Sequence, residues 1–407
     1  MRIATNTIYQ NSLDTIGHQQ SSLNDLQGQI ATGKRVSSAA DDPTAAAETV
    51  RLTQANAKIS QYTGNLDTAK STLQLQDSTL SNVTTLVQQA QTLVNNAGDA
   101  TLDKTARGVL AVQLESVRDQ LLSASNATDG QGNYLFGGYQ TNSAPFSMDD
   151  KGQSVYSGSM GQRTVQINDT RQMQIGDVGS RIFQGVSPGS GRIVDAPASN
   201  KGTAISGAIS TVDANNPGYG DDFAISFHTG KDGAMQYSIH DDTTNQDLAK
   251  DQAFTSGAGI TFAGQRLTVT GEPANGDAIK AKSPQSAGMD IIGALTDVAN
   301  SIRTATTGTE GNARLTNALS TASSKLANSL NNVLTVQASV GAREQEANTL
   351  STQNTDTGVQ YQTQLQNLTG SDFVSAYSQF TQTQNSLQAA EKTFMQMQNL
   401  SLFDLIK

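Results

Sequence analysis

From Ala45 onward every seventh residue is apolar: Ala45, Leu52, Ile59, Leu66, Leu73, Leu80, Val87 and Val94. Tyr62, Ala69, Val83 and Ala90 form a companion row, which Gln76 alone interrupts. A beat of seven sustained over that length points to a helix that wraps against a partner. The start is legible too. Asp42 is placed to accept from the first free amides, Pro43 suits the first helical position, and Glu48 lies near the positive end of the dipole. Asn95-Asn96-Ala97-Gly98 supplies the stop. At 1.5 Å per residue, residues 43–97 would span about 80 Å, so an elongated molecule is expected.

The spacing recurs elsewhere. Leu110, Leu114, Val117, Leu121 and Ala124 make a return helix, and Leu319, Leu326, Val333, Val340 and Ala347 mark a second long one. Near the two ends, Ile16, Leu23, Leu26 and Ile30 form a short stripe before Gly33. Phe373, Phe380, Leu387 and Phe394, with Ala376, Ala390 and Met397, form another.

Between Ile3 and Gly33 the only formal charges are Asp14 and Asp25, and between Val359 and Ala390 the only one is Asp372. An ordinary surface helix keeps its outer face wet with Lys and Glu, so these ends are expected to have neighbours on more than one side. Copies of the same chain would meet there without like-charge repulsion. The expected intersubunit residues are Ile16, Leu23, Leu26 and Ile30 at one end, and Phe373, Phe380, Leu387, Phe394 and Met397 at the other.

Turn residues mark the middle. Residues 130–290 hold 24 of the 36 Gly and six of the seven Pro, so strands and turns replace helix there. Alternating runs at 163–167, 223–227 and 266–270 read as half-buried strands, and Phe223 to His240 as a hairpin around Lys231-Asp232-Gly233. The expected fold is α+β and elongated: a long antiparallel helical bundle or coiled coil from both chain ends, with an inserted β-rich domain. Its expected divisions are 1–40 with 370–407, a terminal helical assembly domain; 41–140 with 285–369, a long-helix rod; and 141–284, a β-rich outer domain.

Composition closes other routes. A net charge of -10 without a basic patch argues against nucleic acid, and no run is apolar enough for membrane insertion. There is no Cys, and His18, His228 and His240 are too scattered for a metal site, so neither metal nor cofactor is expected. The acidic pairs Asp41-Asp42, Asp149-Asp150, Asp221-Asp222 and Asp241-Asp242 lack a calcium-loop spacing and read as caps and turns. No nucleophile and base stand in a catalytic pattern, so no enzyme is expected. The opening residues carry no secretory h-region.

Five motifs carry a family resemblance. They are the start Met1-Arg2-Ile3, the segment Ala31 to Ala46 with its Thr32-Gly33-Lys34-Arg35-Val36-Ser37 and Asp41-Asp42-Pro43, Gly132-Asn133-Tyr134-Leu135-Phe136-Gly137-Gly138, Val336 to Arg343, and Met397 to Ile406 with its Leu402-Phe403-Asp404-Leu405 ending. In this order they resemble the bacterial flagellin superfamily. Pro43, the Tyr-Leu-Phe-Gly-Gly segment and the ending are similar to its hook-filament junction members more than to its filament subunits.

The resemblance implies a non-enzymatic flagellar subunit, extracellular at the hook-filament junction and exported through the flagellar type III apparatus without a cleaved signal peptide. It implies as partners other copies of the chain in a ring, the first hook-associated protein, flagellin, and a cytosolic export chaperone before secretion. Two rival readings stand beside it: a flagellin-like filament subunit, and an adhesin or glycan-binding protein whose β domain would stack sugars on Tyr219, Phe223 and Tyr237.

Overall fold

A computed structural model describes the backbone of residues 2–404 and the side chains of residues 7–397. Helices α1 (Arg2–Thr32), α2 (Pro43–Ala97) and α3 (Lys104–Ser125) come first. The turn-rich middle then holds β1 (Phe146–Met148), β2 (Ser154–Tyr156), β3 (Thr164–Gln166), β4 (Gln172–Gln174) and the short helix α4 (Gly179–Phe183). Strands β5 (Ile193–Asp195), β6 (Ile205–Ser206), β7 (Ser210–Thr211), β8 (Phe223–Thr229), β9 (Met235–Asp241), β10 (Gln246–Ala253), β11 (Gly259–Phe262), β12 (Gln265–Thr270) and β13 (Ala278–Lys282) follow. The chain closes with α5 (Pro284–Ala287), α6 (Ile291–Thr304), α7 (Thr309–Thr369) and α8 (Phe373–Asp404). Long helices from both ends around a β-rich middle are the α+β arrangement that periodicity and turn content require. Two compact units result, residues 1–64 with 350–407, and residues 65–349.

In the second unit the seven-residue rows are sealed. Leu66, Leu73, Leu80 and Val87 of α2, and Leu326, Val333 and Val340 of α7, are almost wholly buried. The two helices run antiparallel, with Gln74 donating to Glu344 at 3.1 Å and Gln337 to Asp77 at 3.1 Å. Leu114, Val117 and Leu121 of α3 are buried too, and α3 packs on α6. Helix α6 is the element that periodicity overlooks. Its Ile291, Ile292, Leu295, Val298 and Ile302 are buried; Ile291, Leu295, Val298 and Ile302 keep the same beat, but over only 14 residues.

Gln76, the polar interruption in α2, is fully buried, and its side-chain amide donates to the Ile175 carbonyl at 3.1 Å. It docks the segment after β4 through its amide nitrogen, while its buried Oε1 accepts no hydrogen bond among the described residues. Polar residues of α7 do the same on a larger scale. Asn317 bonds Ser206 and Ala204, Thr321 donates to the Val194 carbonyl, Asn328 brackets Gly191, and Asn332 donates to the carbonyls of Arg181 and Ile182. Arg343, in the second-half motif, ion-pairs with Asp177 and donates to the Gln174 carbonyl at 3.1 Å. Buried amides stabilise only when satisfied, and here the partners are mostly backbone groups that have no ladder of their own. That accounts for Asn317, Thr321, Asn328 and Asn332 among the uncharged polar residues of α7.

The β region contains a five-stranded sheet in the order β10-β9-β8-β13-β5, and a second in which β12 pairs with β11, β6 and β7. Phe223, Ile225 and Phe227 of β8 alternate inward against Ile260, Phe262 and Leu267. The Phe223 and Phe262 rings meet edge on at 5.0 Å. The expected hairpin forms with Phe223 opposite Asp241, and Gly233 takes the left-handed φ of 80° that its turn needs. Nearer the helices, Phe136 of the Gly-Asn-Tyr-Leu-Phe segment is buried against Phe183, which also packs on Phe146. Full burial of each such ring contributes roughly 1.5–3 kcal/mol.

Candidate assembly surface

The first unit is organised around two chain breaks held side by side. Helix α1 ends at Gly33, whose φ of 68° suits glycine, and α7 ends at Gly370, where an added Cβ would strike the Gln366 carbonyl. Lys34 and Gly370 form a bridge, Arg35 N donates to the Thr369 carbonyl at 2.7 Å, and Ser371 N donates to the Gly33 carbonyl at 2.9 Å. The Arg35 guanidinium reaches the Leu368 carbonyl at 3.0 Å and lies 3.6 Å from Asp42. The Ala31 to Ala46 motif is therefore a joint between the two halves of the chain.

The two acidic residues of the joint hold different amides. Asp41 accepts from the amides of Ser37 and Ser38 at 2.9 and 2.8 Å, and from the Ser37 hydroxyl at 3.0 Å. Those hydrogen bonds, led by the Ser38 amide, hold its carboxyl below the usual range. Asp42 caps α2 by accepting from Ala45 N at 3.0 Å, ahead of Pro43.

Beyond the joint α1 and α8 pack antiparallel. On α1, Ile16, Leu23, Leu26 and Ile30 are half-buried; on α8, so are Phe380, Leu387, Phe394 and Met397, with Ala376 buried. The Tyr9 and Phe394 rings meet at 4.9 Å. Eight of the nine residues expected between subunits thus lie along a pair formed within one chain, and the pair covers them only in part.

Phe373 stands apart. It is 61% exposed, its neighbours Val374 and Tyr377 are 77% and 57% exposed, and its ring stacks on Tyr377 at 6.1 Å. The reason is geometric. Phe373 is in phase with Phe380, but α1 has ended at Thr32 beside the start of α8, so the row runs past its partner. Periodicity missed Val374 and Tyr377, which sit off the row; the available signal was their place in the charge-free stretch after Asp372. The side chains of the closing motif beyond Met397 lie outside the described residues.

The remaining candidates do local work. Asp149 and Asp241 accept amides of their own turns, and Asp222 accepts from Ser283 N. His228 and His240 lie on one hairpin, but each has its own carboxylate, Asp251 at 2.9 Å and Asp247 at 2.8 Å. Among the described residues no group of three His, Cys, Asp or Glu is placed to hold a metal, and no helix is long and apolar enough to cross a membrane. Of the supposed stacking aromatics, Phe223 is in the core and the Tyr219 hydroxyl bonds Thr211.

Known proteins share this arrangement. The family described as the bacterial flagellin N-terminal helical region matches residues 3–141. Flagellar hook-associated protein 3 of Salmonella typhimurium is 30% identical over 405 residues, covering 100% of this chain and 99% of its own. The protein of the same name from Escherichia coli is 30% identical over 407 residues and 100% of both chains. The chain belongs to the flagellar hook-associated protein 3 family. The crystal structure of FlgL from Xanthomonas campestris superposes with a TM-score of 0.67 at 25% identity, covering 77% of this chain and 99% of that one. As a member of the hook-associated protein 3 family, the chain is a structural subunit of the flagellar junction and associates with other flagellar components. Its relatives are structural proteins, not enzymes.

Proposed function

We propose that the chain joins the hook-associated region to the filament by self-assembly of its α1 and α8 helices. The observation that carries this reading is the pair itself: its apolar row is only half covered, Phe373, Val374 and Tyr377 are bare, and its outer faces are almost free of charge. A surface of this kind gains from burial against a like surface, and its near absence of charge keeps like-charge repulsion small at the contact although the chain carries a net charge of -10. Copies in a ring place Ile16, Leu23, Leu26, Ile30, Phe373, Phe380, Leu387, Phe394 and Met397 at or beneath their contacts. The first hook-associated protein lies on one side and flagellin on the other.

In this reading residues 1–40 with 370–407 assemble, 41–140 with 285–369 form a rod, and 141–284 face outward. The protein works by packing and catalyses no reaction. It reaches the extracellular junction by type III export without a cleaved signal peptide, escorted beforehand by a cytosolic chaperone.

Replacing Phe373 and Tyr377 together with Asp is expected to abolish incorporation into flagella while helix content and β-region folding stay intact, measured by immunogold microscopy and circular dichroism. Unchanged incorporation at the junction would overturn the proposal. Purified chain polymerising alone into long filaments would favour the filament-subunit reading instead.

A further inference from the structure

The five-stranded sheet ends differently on its two sides. At β5 a helix arrives, with Thr321 of α7 donating to the Val194 carbonyl at 2.7 Å. Beyond β10 no strand follows among the described residues, and seven of its eight residues are exposed. A long bare edge offers a second copy of the chain a row of peptide groups to pair with.

Strand β10 is misshapen for that use, because its register against β9 slips twice. Asp247 faces His240 and Ala249 faces Ile239, so Leu248 has no counterpart. Gln252 then faces Tyr237, so Lys250 and Asp251 share Ser238 between them. Each slip is one residue more than the ladder needs, which bends the strand. At the second, Asp251 takes a φ of 51°, a left-handed value that aspartate tolerates and β-branched residues resist. Packing does not call for the extra residues: Leu248 is 48% exposed and the Asp251 side chain 71%.

Side chains hold the second bulge in place. The Asp251 amide donates to the Ser238 hydroxyl at 3.2 Å, and its carboxylate meets His228 Nε2 at 2.9 Å. His228 lies on β8, so this contact reaches over β9 to a residue two strands away. The Lys250 carbonyl is taken by the Gln252 side-chain amide at 2.8 Å, and Lys250 Nζ pairs with Asp247 at 2.8 Å. An incoming strand would meet a kinked backbone, an occupied carbonyl and a cluster of charge.

We propose that the two bulges of β10, the second held by His228 across β9, block edge-to-edge pairing of this sheet with the same edge of a second copy. The strand belongs to residues 65–349, so the block does not depend on α1 and α8.

The test is analytical ultracentrifugation of the full chain carrying Phe373→Asp/Tyr377→Asp, which removes the candidate assembly surface from the measurement. Deleting Leu248 and Asp251 leaves one residue of β10 for each residue of β9, with Ala249 still inward. The expected result is a concentration-dependent doubling of mass, with slower amide exchange in residues 246–253. Asp251→Val, which resists the left-handed turn, should associate in the same way but more weakly, whereas Asp251→Gly, which keeps the turn, should stay monomeric like the parent. A deletion variant that folds and stays monomeric would overturn the proposal. So would association that leaves exchange in residues 246–253 unchanged, or association of Asp251→Gly as strong as that of Asp251→Val. If the double deletion does not fold, the comparison of valine with glycine at position 251 decides the matter.

Discussion

Helices α2 and α8 carry the same seven-residue beat and meet different fates. From Leu66 to Val87 the row in α2 is almost completely sealed, with α7 and the segment after β4 bonded beside it, whereas Phe380, Leu387 and Phe394 in α8 are only half covered. Periodicity fixes which side of a helix is apolar. It does not fix how many neighbours arrive to cover that side. In the second unit the chain supplies them all; in α1 and α8 it supplies one helix to each. The pair is left half covered within the chain, which is the observation the proposed assembly rests on.

This contrast is open to measurement. Leu80→Ala should cost about 2–5 kcal/mol, the range for truncating a sealed leucine, read from denaturant or thermal unfolding by circular dichroism. Asn332→Ala should cost about 1–3 kcal/mol by stranding buried carbonyls of α4, with increased amide exchange in residues 181–187. Phe380→Ala should cost the free chain roughly half of what a sealed ring would, about 1–2 kcal/mol. An equal loss at Phe380 and Leu80 would erase the distinction between the rows. Phe373→Ser should change monomer stability by no more than about 0.5 kcal/mol, since its ring has little to lose. The smallest effect belongs to Asp41. Its carboxyl lies below its ordinary value of 3.8, so its bonds to Ser37 and Ser38 persist above that value and are lost as pH falls through the lower native one. Exchange of those two amides, corrected for intrinsic rate, should lose protection in acid, and Asp41→Asn should remove the dependence.

Much of the helical frame was legible because it repeats. The start of α2 at Pro43, its end at Ala97 and the rows of α7 follow from local capping and spacing. Helix α6 went unread although Ile291, Leu295, Val298 and Ile302 keep a helical spacing, because two turns of the seven-residue beat are too brief to stand out beside the long rows. The hairpin at Phe223–His240 was readable from alternation and Gly233, whereas the order of strands around it depends on contacts far apart in sequence. At the candidate assembly surface, eight of the nine residues from Ile16 to Met397 that the beat picked out lie along one intrachain pair, half covered or less. The beat assigned Phe373 to the same row because periodicity carries no information about where the facing helix stops. The docking amides Asn317, Asn328 and Asn332 were seen only as polar content; their partners are mostly backbone atoms, which leave no mark in a side-chain pattern.

That last point bears on how such a molecule changes over time. The α7 amides grip mainly the peptide groups of residues 181–206, and every residue type offers a carbonyl there. Attachment that reads the main chain is indifferent to most substitutions in the segment it holds. The segment 181–206 is thus free to change its side chains, residue by residue, without renegotiating its seat on the helix.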